Sequence, residues 1–485
     1  MEPIRTTRQG AVRGRLVTDD VAAFLGIPFA APPFGEARFR APAPAASWDG
    51  VRDALSYGAS VPRAPYPPPF DTLIPDDGPQ GEDCLNLNVW TPHPGPGGGG
   101  LPVMVWIHGG AFANGSGSAS GYDGSTFARD GVVYVSINYR LGSDGFLRLP
   151  DRPDNRGLLD QIAALEWVRD NIEAFGGDPG QVTVFGESAG AMSIGALLSM
   201  PRTRGLFRRA ILQSGAAHHF LRPASAELIT ARLAEKLGIE ARAEDFAAVP
   251  LDELLPAQAD LRREIGARPD PALWGEAALN MMPFEPVLDE LPLPAPDCGV
   301  EILAGSNREE YRLFLVPTER IDVLPQSRLR AAATAYGLDP DKALPVYAER
   351  RPDAVPGELF DALTTDWFYR IPAIRIAESV PGSYLYEFAR RSPAHGGRLG
   401  ACHASELAFV FDRLDDPEYA PILGERPEQP LADAMHGAWV AFAKTGDPGW
   451  AAYDREARTT KVFDVAPTVE NDLRGEERAL WEGVR

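Results

Sequence analysis

The pentapeptide Gly186-Glu187-Ser188-Ala189-Gly190 stands between a β-type run, Val182-Thr183-Val184-Phe185, and a stretch of small and apolar residues, Ala189 to Leu198, with helical character. A strand that turns so sharply into a helix lifts one side chain clear of the sheet edge, and glycines two positions either side of the serine permit close strand–helix approach. The helix start sets backbone N–H groups and the positive end of the dipole beside Ser188 Oγ. This pattern is a nucleophile elbow. It requires an α/β sheet around it and points to serine hydrolase chemistry.

The surrounding chain alternates as such a sheet needs. Strand-type runs Val103–Ile107, Val132–Ile137 and Arg209–Gln213 flank the elbow. Between them lies an amphipathic helix with Leu158, Ile162, Leu165, Val168 and Ile172 on one face. That helix is expected to stop at Phe175-Gly176-Gly177-Asp178-Pro179, a glycine cap followed by a proline. Near-continuous apolar strands joined by helices predict an α/β fold: a central, mostly parallel sheet with helices on both faces. The first forty residues, with Ala11–Leu16 and Val21–Pro28, predict a small antiparallel β unit. A Pro-rich loop spans Ala64 to Gly81, a strand covers Leu85–Trp90, and a Pro/Gly connection runs from Pro92 to Gly100. Helical, irregular stretches at about 219–296 and 313–381 are expected to be insertions walling a pocket, within a single domain over 1–485.

With 47 basic and 68 acidic residues, the formal charge of −21 argues against nucleic acid or anionic membrane as the main partner. Three scattered cysteines, Cys84, Cys298 and Cys402, form neither a disulfide framework nor a metal-ligand spacing. No apolar signal core opens the chain, and no run reaches the length of a membrane span. The expected location is the cytoplasm. The partner is a small molecule, no cofactor or metal is called for, and oligomeric state is left open, a monomer being compatible.

A serine nucleophile needs a base, the base needs an orienting acid, and the developing oxyanion needs fixed donors. In this arrangement the acid and histidine follow the serine in the chain. Of the later histidines, His403 sits in a loop, Gly400-Ala401-Cys402-His403-Ala404-Ser405-Glu406-Leu407, after the strand Ser383–Phe388. His395, in a glycine-rich turn, and His436, in a helix, read as surface residues. The strand Glu301–Gly305 runs into Ser306-Asn307-Arg308-Glu309-Glu310-Tyr311, where Glu309 and Glu310 are both candidate acids and spacing does not choose between them. The turn His108-Gly109-Gly110-Ala111-Phe112 after strand Val103–Ile107 is the candidate oxyanion loop. Its expected donors are the N–H groups of Gly110, Ala111 and Ala189, with Gly109 supporting the turn. Trp274, Met281, Met282, Phe284, Phe314 and Phe368 are candidates for an apolar acyl site or for ordinary core.

Taken together, these segments resemble the type B carboxylesterases, which include bacterial para-nitrobenzyl esterases, mammalian carboxylesterases and cholinesterases. The resemblance rests on Phe24–Ala30, Glu82–Val89, His108-Gly109-Gly110, Asn138–Gly142, Phe175–Pro179, the elbow, Asn307–Glu310 and Phe442–Pro448, and spans nearly the whole chain. It implies the α/β-hydrolase fold and a serine esterase working through an acyl-enzyme. It implies Glu310 as the acid, because the second carboxylate of the family loop carries that role, and His403 as the base, because the family histidine precedes a run like Glu406-Leu407-Ala408-Phe409-Val410-Phe411. It also implies a structural ion pair between Arg38 and Glu82. Two departures stand out. Tyr311 replaces the usual glycine after the acid, and no cysteine precedes Cys84, so the disulfide of secreted members cannot form. Amide, carbamate or polyester hydrolysis by the same triad, and a non-catalytic binding protein on the same scaffold, are the alternative readings.

Overall fold

The computed structural model describes every residue except 1, 75–77, 94–99 and 426. Parts of the Pro-rich loop at 64–81 and of the Pro/Gly connection at 92–100 therefore lie outside the described residues. The chain divides into two compact units: Met1–Tyr66, Asp76–Ala210 and His219–Leu293 form the first, and Pro67–Pro75, Ile211–His218 and Pro294–Arg485 the second.

In the first unit β1 (Ile4–Thr6), β2 (Ala11–Arg13), β3 (Arg15–Thr18), β4 (Val21–Pro28) and β5 (Val51–Asp53) are followed by β6 (Asn86–Pro92), β7 (Leu101–Ile107), β8 (Val133–Ile137) and β9 (Gly177–Glu187). The strands β9, β7, β8, β6, β4 and β3 lie side by side in that order. The β9/β7 and β7/β8 pairs are parallel, and those from β8 outward are antiparallel. The expected N-terminal β unit is split. A short sheet of β1, β2 and β5 takes Ala11–Arg13, while β3 and β4 form a hairpin on the edge of the larger sheet. Gly14 marks the break, because a Cβ there would lie 2.5 Å from the Ala23 carbonyl oxygen.

Residues Val103–Ile107 and Val133–Ile137 are buried throughout, as strands covered on both faces must be. The helix Arg156–Asn171 buries Leu158, Ile162, Leu165 and Val168. After a 3₁₀ turn at Ile172–Phe175 it ends on Gly176, whose φ of 87° is the left-handed cap expected of that glycine. Helices Pro223–Leu237, Ala243–Ala248 and Leu251–Ala267 occupy the first stretch anticipated as helical.

The Arg38 expectation is corrected. Its Nε and Nη2 donate to the two carboxylate oxygens of Asp144 at 2.7 and 3.3 Å, and Nη1 donates to the Val249 carbonyl at 3.0 Å. Glu82 is exposed. Buried Asp144 offers the planar guanidinium a two-oxygen partner, and the adjacent carbonyl takes a further donor, which satisfies a charge held away from water.

Strand β10 (Arg209–Gln213) begins in the first unit and ends in the second, where β11 (Glu301–Asn307), β12 (Tyr384–Phe388), β13 (Thr459–Phe463) and β14 (Thr468–Asn471) follow. The β11/β12 and β12/β13 pairs are parallel, and β14 returns antiparallel. Between β11 and β12 run the helices of the second helical stretch, among them Pro356–Thr365, which continues through a π-helical turn, Asp366–Arg370, into Ile371–Ser379. His436 is not a surface residue. It lies in the helix Gln429–Thr445 on the buried stripe with Ala432, Met435 and Trp439, and its ring Nδ1–H donates to the Val410 carbonyl at 2.8 Å.

Candidate active site

The first unit builds the elbow. Strand β9 ends at Glu187, Ser188 has φ 54° and ψ −123°, and the helix Ala189–Ser199 begins at the next residue. A positive φ at a non-glycine residue is strained, and a strand-to-helix elbow of this kind is where such strain is found. The first helical N–H groups, that of Ala189 among them, have no partner within the helix. The register of β7 with β9 pairs Ile107 with Gly186, which brings the end of one strand beside the elbow of the other. A Cβ on Gly190 would lie 2.0 Å from the Ile107 carbonyl oxygen, so only glycine fits there.

The same register sets the turn His108–Phe112 against Ser188. A Cβ built on Gly109 would meet Glu187 Oε2 at 2.7 Å and Ser188 Cβ at 3.1 Å. Gly110, Ala111 and Phe112 all have positive φ, at 110°, 53° and 58°. The turn is held by Asn114 N–H donating to the Gly110 carbonyl at 2.9 Å, Gly142 N–H to the Phe112 carbonyl at 2.7 Å, and His108 Nδ1–H to the Gly109 carbonyl at 2.7 Å. The Tyr139 hydroxyl donates to the His108 carbonyl at 2.8 Å. Burial, reinforced by Tyr66 and by the charge of Glu187, pushes that phenol well above its ordinary value, so it stays a donor.

The second unit brings His403 and Glu310 together. The fully buried Glu310 accepts from Asn307 N–H on one oxygen at 2.7 Å and meets His403 Nδ1 with the other at 2.6 Å. An ionised carboxylate only accepts, so the imidazole donates from Nδ1 and its lone pair is left on Nε2. His403 N–H also donates to the Glu310 carbonyl at 3.1 Å. Rings of Tyr369, on the π-helical turn, and Phe314 lie 4.8 and 5.7 Å from the imidazole centroid. The geometry separates the two acidic neighbours that spacing left open. Glu309 turns away from the histidine to accept from Ala401 N–H at 2.9 Å and to pair with Arg312 and Arg391.

Sequence reasoning missed the polar frame behind this pair. Asn307 Nδ2 donates to the Cys402 carbonyl at 2.8 Å and to Glu406 Oε2 at 2.6 Å. Gln213 Nε2 reaches Glu406 Oε1 at 3.1 Å, and Trp439 Nε1 donates to Gln213 Oε1 at 2.9 Å. These residues span 213 to 439, so no local pattern announces them. Burial, with the charges of Glu310 and Glu406, pushes the Cys402 thiol far above its ordinary value, so it is no competing nucleophile. Of the candidate acyl-site residues, Trp274, Met282, Phe284 and Phe368 are buried, while Met281 and Phe314 are half-buried. Among the described residues no group of His, Cys, Asp and Glu could hold a metal ion, and no helix is long and apolar enough to cross a membrane.

Residues 1–481 match the model of the carboxylesterase family. The chain is 39% identical to para-nitrobenzyl esterase of Bacillus subtilis (strain 168), with 98% of this chain and 97% of that protein covered. It is 37% identical to phenmedipham hydrolase of Pseudarthrobacter oxydans, covering 92% and 90%. Among solved structures, the Geobacillus stearothermophilus carboxylesterase EST55 matches with a TM-score of 0.85 at 37% identity over 99% of both chains. A para-nitrobenzyl esterase structure also gives 0.85, at 38% identity over 99% of both.

Proposed function

Because this chain belongs to the carboxylesterase family, with the α/β-hydrolase fold and the ester-hydrolysing activity of that family, we propose that Ser188, His403 and Glu310 are the nucleophile, base and acid of its reaction. The observation that carries this reading is the 2.6 Å contact between His403 Nδ1 and the buried Glu310 carboxylate, in a chain whose elbow serine has the strained backbone of a nucleophile. His403 Nε2 takes the proton from Ser188 Oγ as the oxygen attacks the ester carbonyl, and Glu310 stabilises the imidazolium. The N–H groups of Gly110, Ala111 and Ala189, with Gly109 shaping the turn, hold the negative charge of the tetrahedral intermediate. The imidazolium returns its proton to the leaving alcohol, and an acyl-enzyme is left on Ser188. Water, deprotonated by His403, then releases the acid product.

The substrate is a small ester, and the net charge of −21 sets it apart from nucleic-acid chemistry. The free cysteines, with Cys84 and Cys402 buried, support residence in a reducing cytoplasm. p-Nitrobenzyl esters and phenmedipham, after which two relatives are named, are the first compounds to assay beside short p-nitrophenyl esters. Ser188→Ala is expected to abolish turnover of p-nitrophenyl butyrate while the thermal melting point stays within a few degrees. Retained turnover would overturn the assignment.

A further inference from the structure

The turn that carries Glu310 is gripped by a second buried carboxylate that the reaction does not use. Asp361, on the helix Pro356–Thr365 and 2% exposed, accepts the N–H of Tyr311, the residue directly after Glu310, on Oδ1 at 3.1 Å. The same oxygen accepts Thr365 Oγ1–H at 3.2 Å. Its other oxygen accepts Arg312 Nε–H at 3.2 Å, and Arg312 Nη2 lies 3.1 Å from Glu309 Oε1. Glu309 in turn is tied to Ala401 N–H, two residues before His403. One side chain thus anchors the residue after the acid and, through Arg312 and Glu309, the approach to the base.

We propose that Asp361 is a positioning residue for the Glu310–His403 pair, holding the turn that presents Glu310 to the imidazole, and that it does so as a carboxylate. A charged acceptor binds the Tyr311 N–H and the Arg312 guanidinium more strongly than a neutral acid would. Burial, opposed by Arg312 and reinforced by Glu309, pushes Asp361 up to about 7. The charged groups that face it are Arg312 and Glu309 from the turn, Glu358 on its own helix 3.8 Å from Arg312, Arg391 against Glu309, and Arg351 at longer range. Charges on neighbouring elements pair elsewhere, Asp322 with Arg398 and Asp366 with Arg370. The grip therefore tightens as pH rises through neutrality.

This inference rests on the assignment of Glu310 and His403, which the loss of turnover expected in Glu310→Gln and in His403→Ala tests separately. Its own test compares kcat for p-nitrophenyl butyrate at pH 6 and pH 8 in wild-type enzyme and in Asp361→Asn, which cannot acquire the charge. The ratio of kcat at pH 8 to kcat at pH 6 is expected to be about tenfold smaller in the variant, with KM unchanged. A loss of the same size at both pH values would reduce Asp361 to a structural residue and overturn the proposal, as would an unchanged ratio. Thr365→Val gives an independent reading should Asp361→Asn fail to fold. Removing the hydroxyl donor weakens the carboxylate form, so the rise in kcat should move to higher pH. A midpoint that stays in place would contradict the proposal.

Discussion

Replacing Glu310 by glutamine puts the orienting role of the acid to a quantitative test. The carboxylate sits between two donors, Asn307 N–H at 2.7 Å and His403 Nδ1–H at 2.6 Å, and satisfies both because each of its oxygens accepts. An amide has one acceptor and one donor end. With its oxygen on Asn307, the NH₂ group faces Nδ1 and forces the proton onto Nε2, the tautomer that cannot take the proton of Ser188. With the oxygen on His403 instead, NH₂ meets Asn307 N–H in a fully buried site, at the desolvation cost of about 1–3 kcal/mol for an unsatisfied group. In neither orientation is the imidazolium of the transition state opposed by a negative charge. Amide-for-acid replacement in a triad lowers kcat by about 10⁴-fold, equivalent to about 5 kcal/mol. Glu310→Gln should therefore reduce kcat for p-nitrophenyl butyrate by about that factor while KM, set by groups that touch the ester, moves less than about threefold. Steady-state kinetics on a variant with near wild-type circular dichroism reads both numbers. A kcat within tenfold of wild type would refute the account of how this acid works.

Gly109→Ala should lower kcat by about a hundredfold or more, because the new methyl would press on Glu187 and Ser188 and displace the donor turn. Activity within twofold of wild type would show that the turn does not border the nucleophile. Asp144→Asn leaves the Arg38 guanidinium buried without its charge partner and should cost about 3–5 kcal/mol in denaturant unfolding, so an unchanged midpoint would contradict the corrected pairing. Asp361 also gives stability a pH dependence of known sign. Its folded value of about 7 lies above the reference of about 3.9 for an unfolded aspartate, so the folded chain binds more protons in between and loses stability as pH rises toward 7. From pH 5 to 8 the wild type should lose about 2–3 kcal/mol relative to Asp361→Asn, seen as a melting-point difference that shifts in favour of the variant. A constant difference across that range would refute it.

The parts of the site written in contiguous sequence were legible. The elbow, the His108–Phe112 turn and the glycine-capped helix at Gly176 each depend on a few adjacent residues whose backbone demands are local. Glu309 and Glu310 were not separable by spacing, because which of two neighbours faces His403 depends on Ala401 N–H, Arg312 and Arg391 drawing Glu309 away. His436 was misplaced although its periodicity with Ala432, Met435 and Trp439 would have put it on the buried stripe. A histidine taken by residue type alone suggests water, but one hydrogen bond to a carbonyl suffices to bury it. Arg38 found Asp144, more than a hundred residues downstream, and the frame of Asn307, Glu406, Gln213 and Trp439 is assembled from four separate segments. Such contacts are fixed by tertiary packing, which leaves no mark at short range.

In the proposed triad the Ser188 hydroxyl is made nucleophilic by the His403 imidazole, more than two hundred residues away in the chain. Intact-protein and peptide mass spectrometry after treatment with a fluorophosphonate reads it directly. One adduct per chain is expected, on Ser188, forming at least a hundredfold more slowly in His403→Ala. An adduct on another residue, or labelling of Ser188 at the same rate without the imidazole, would contradict it.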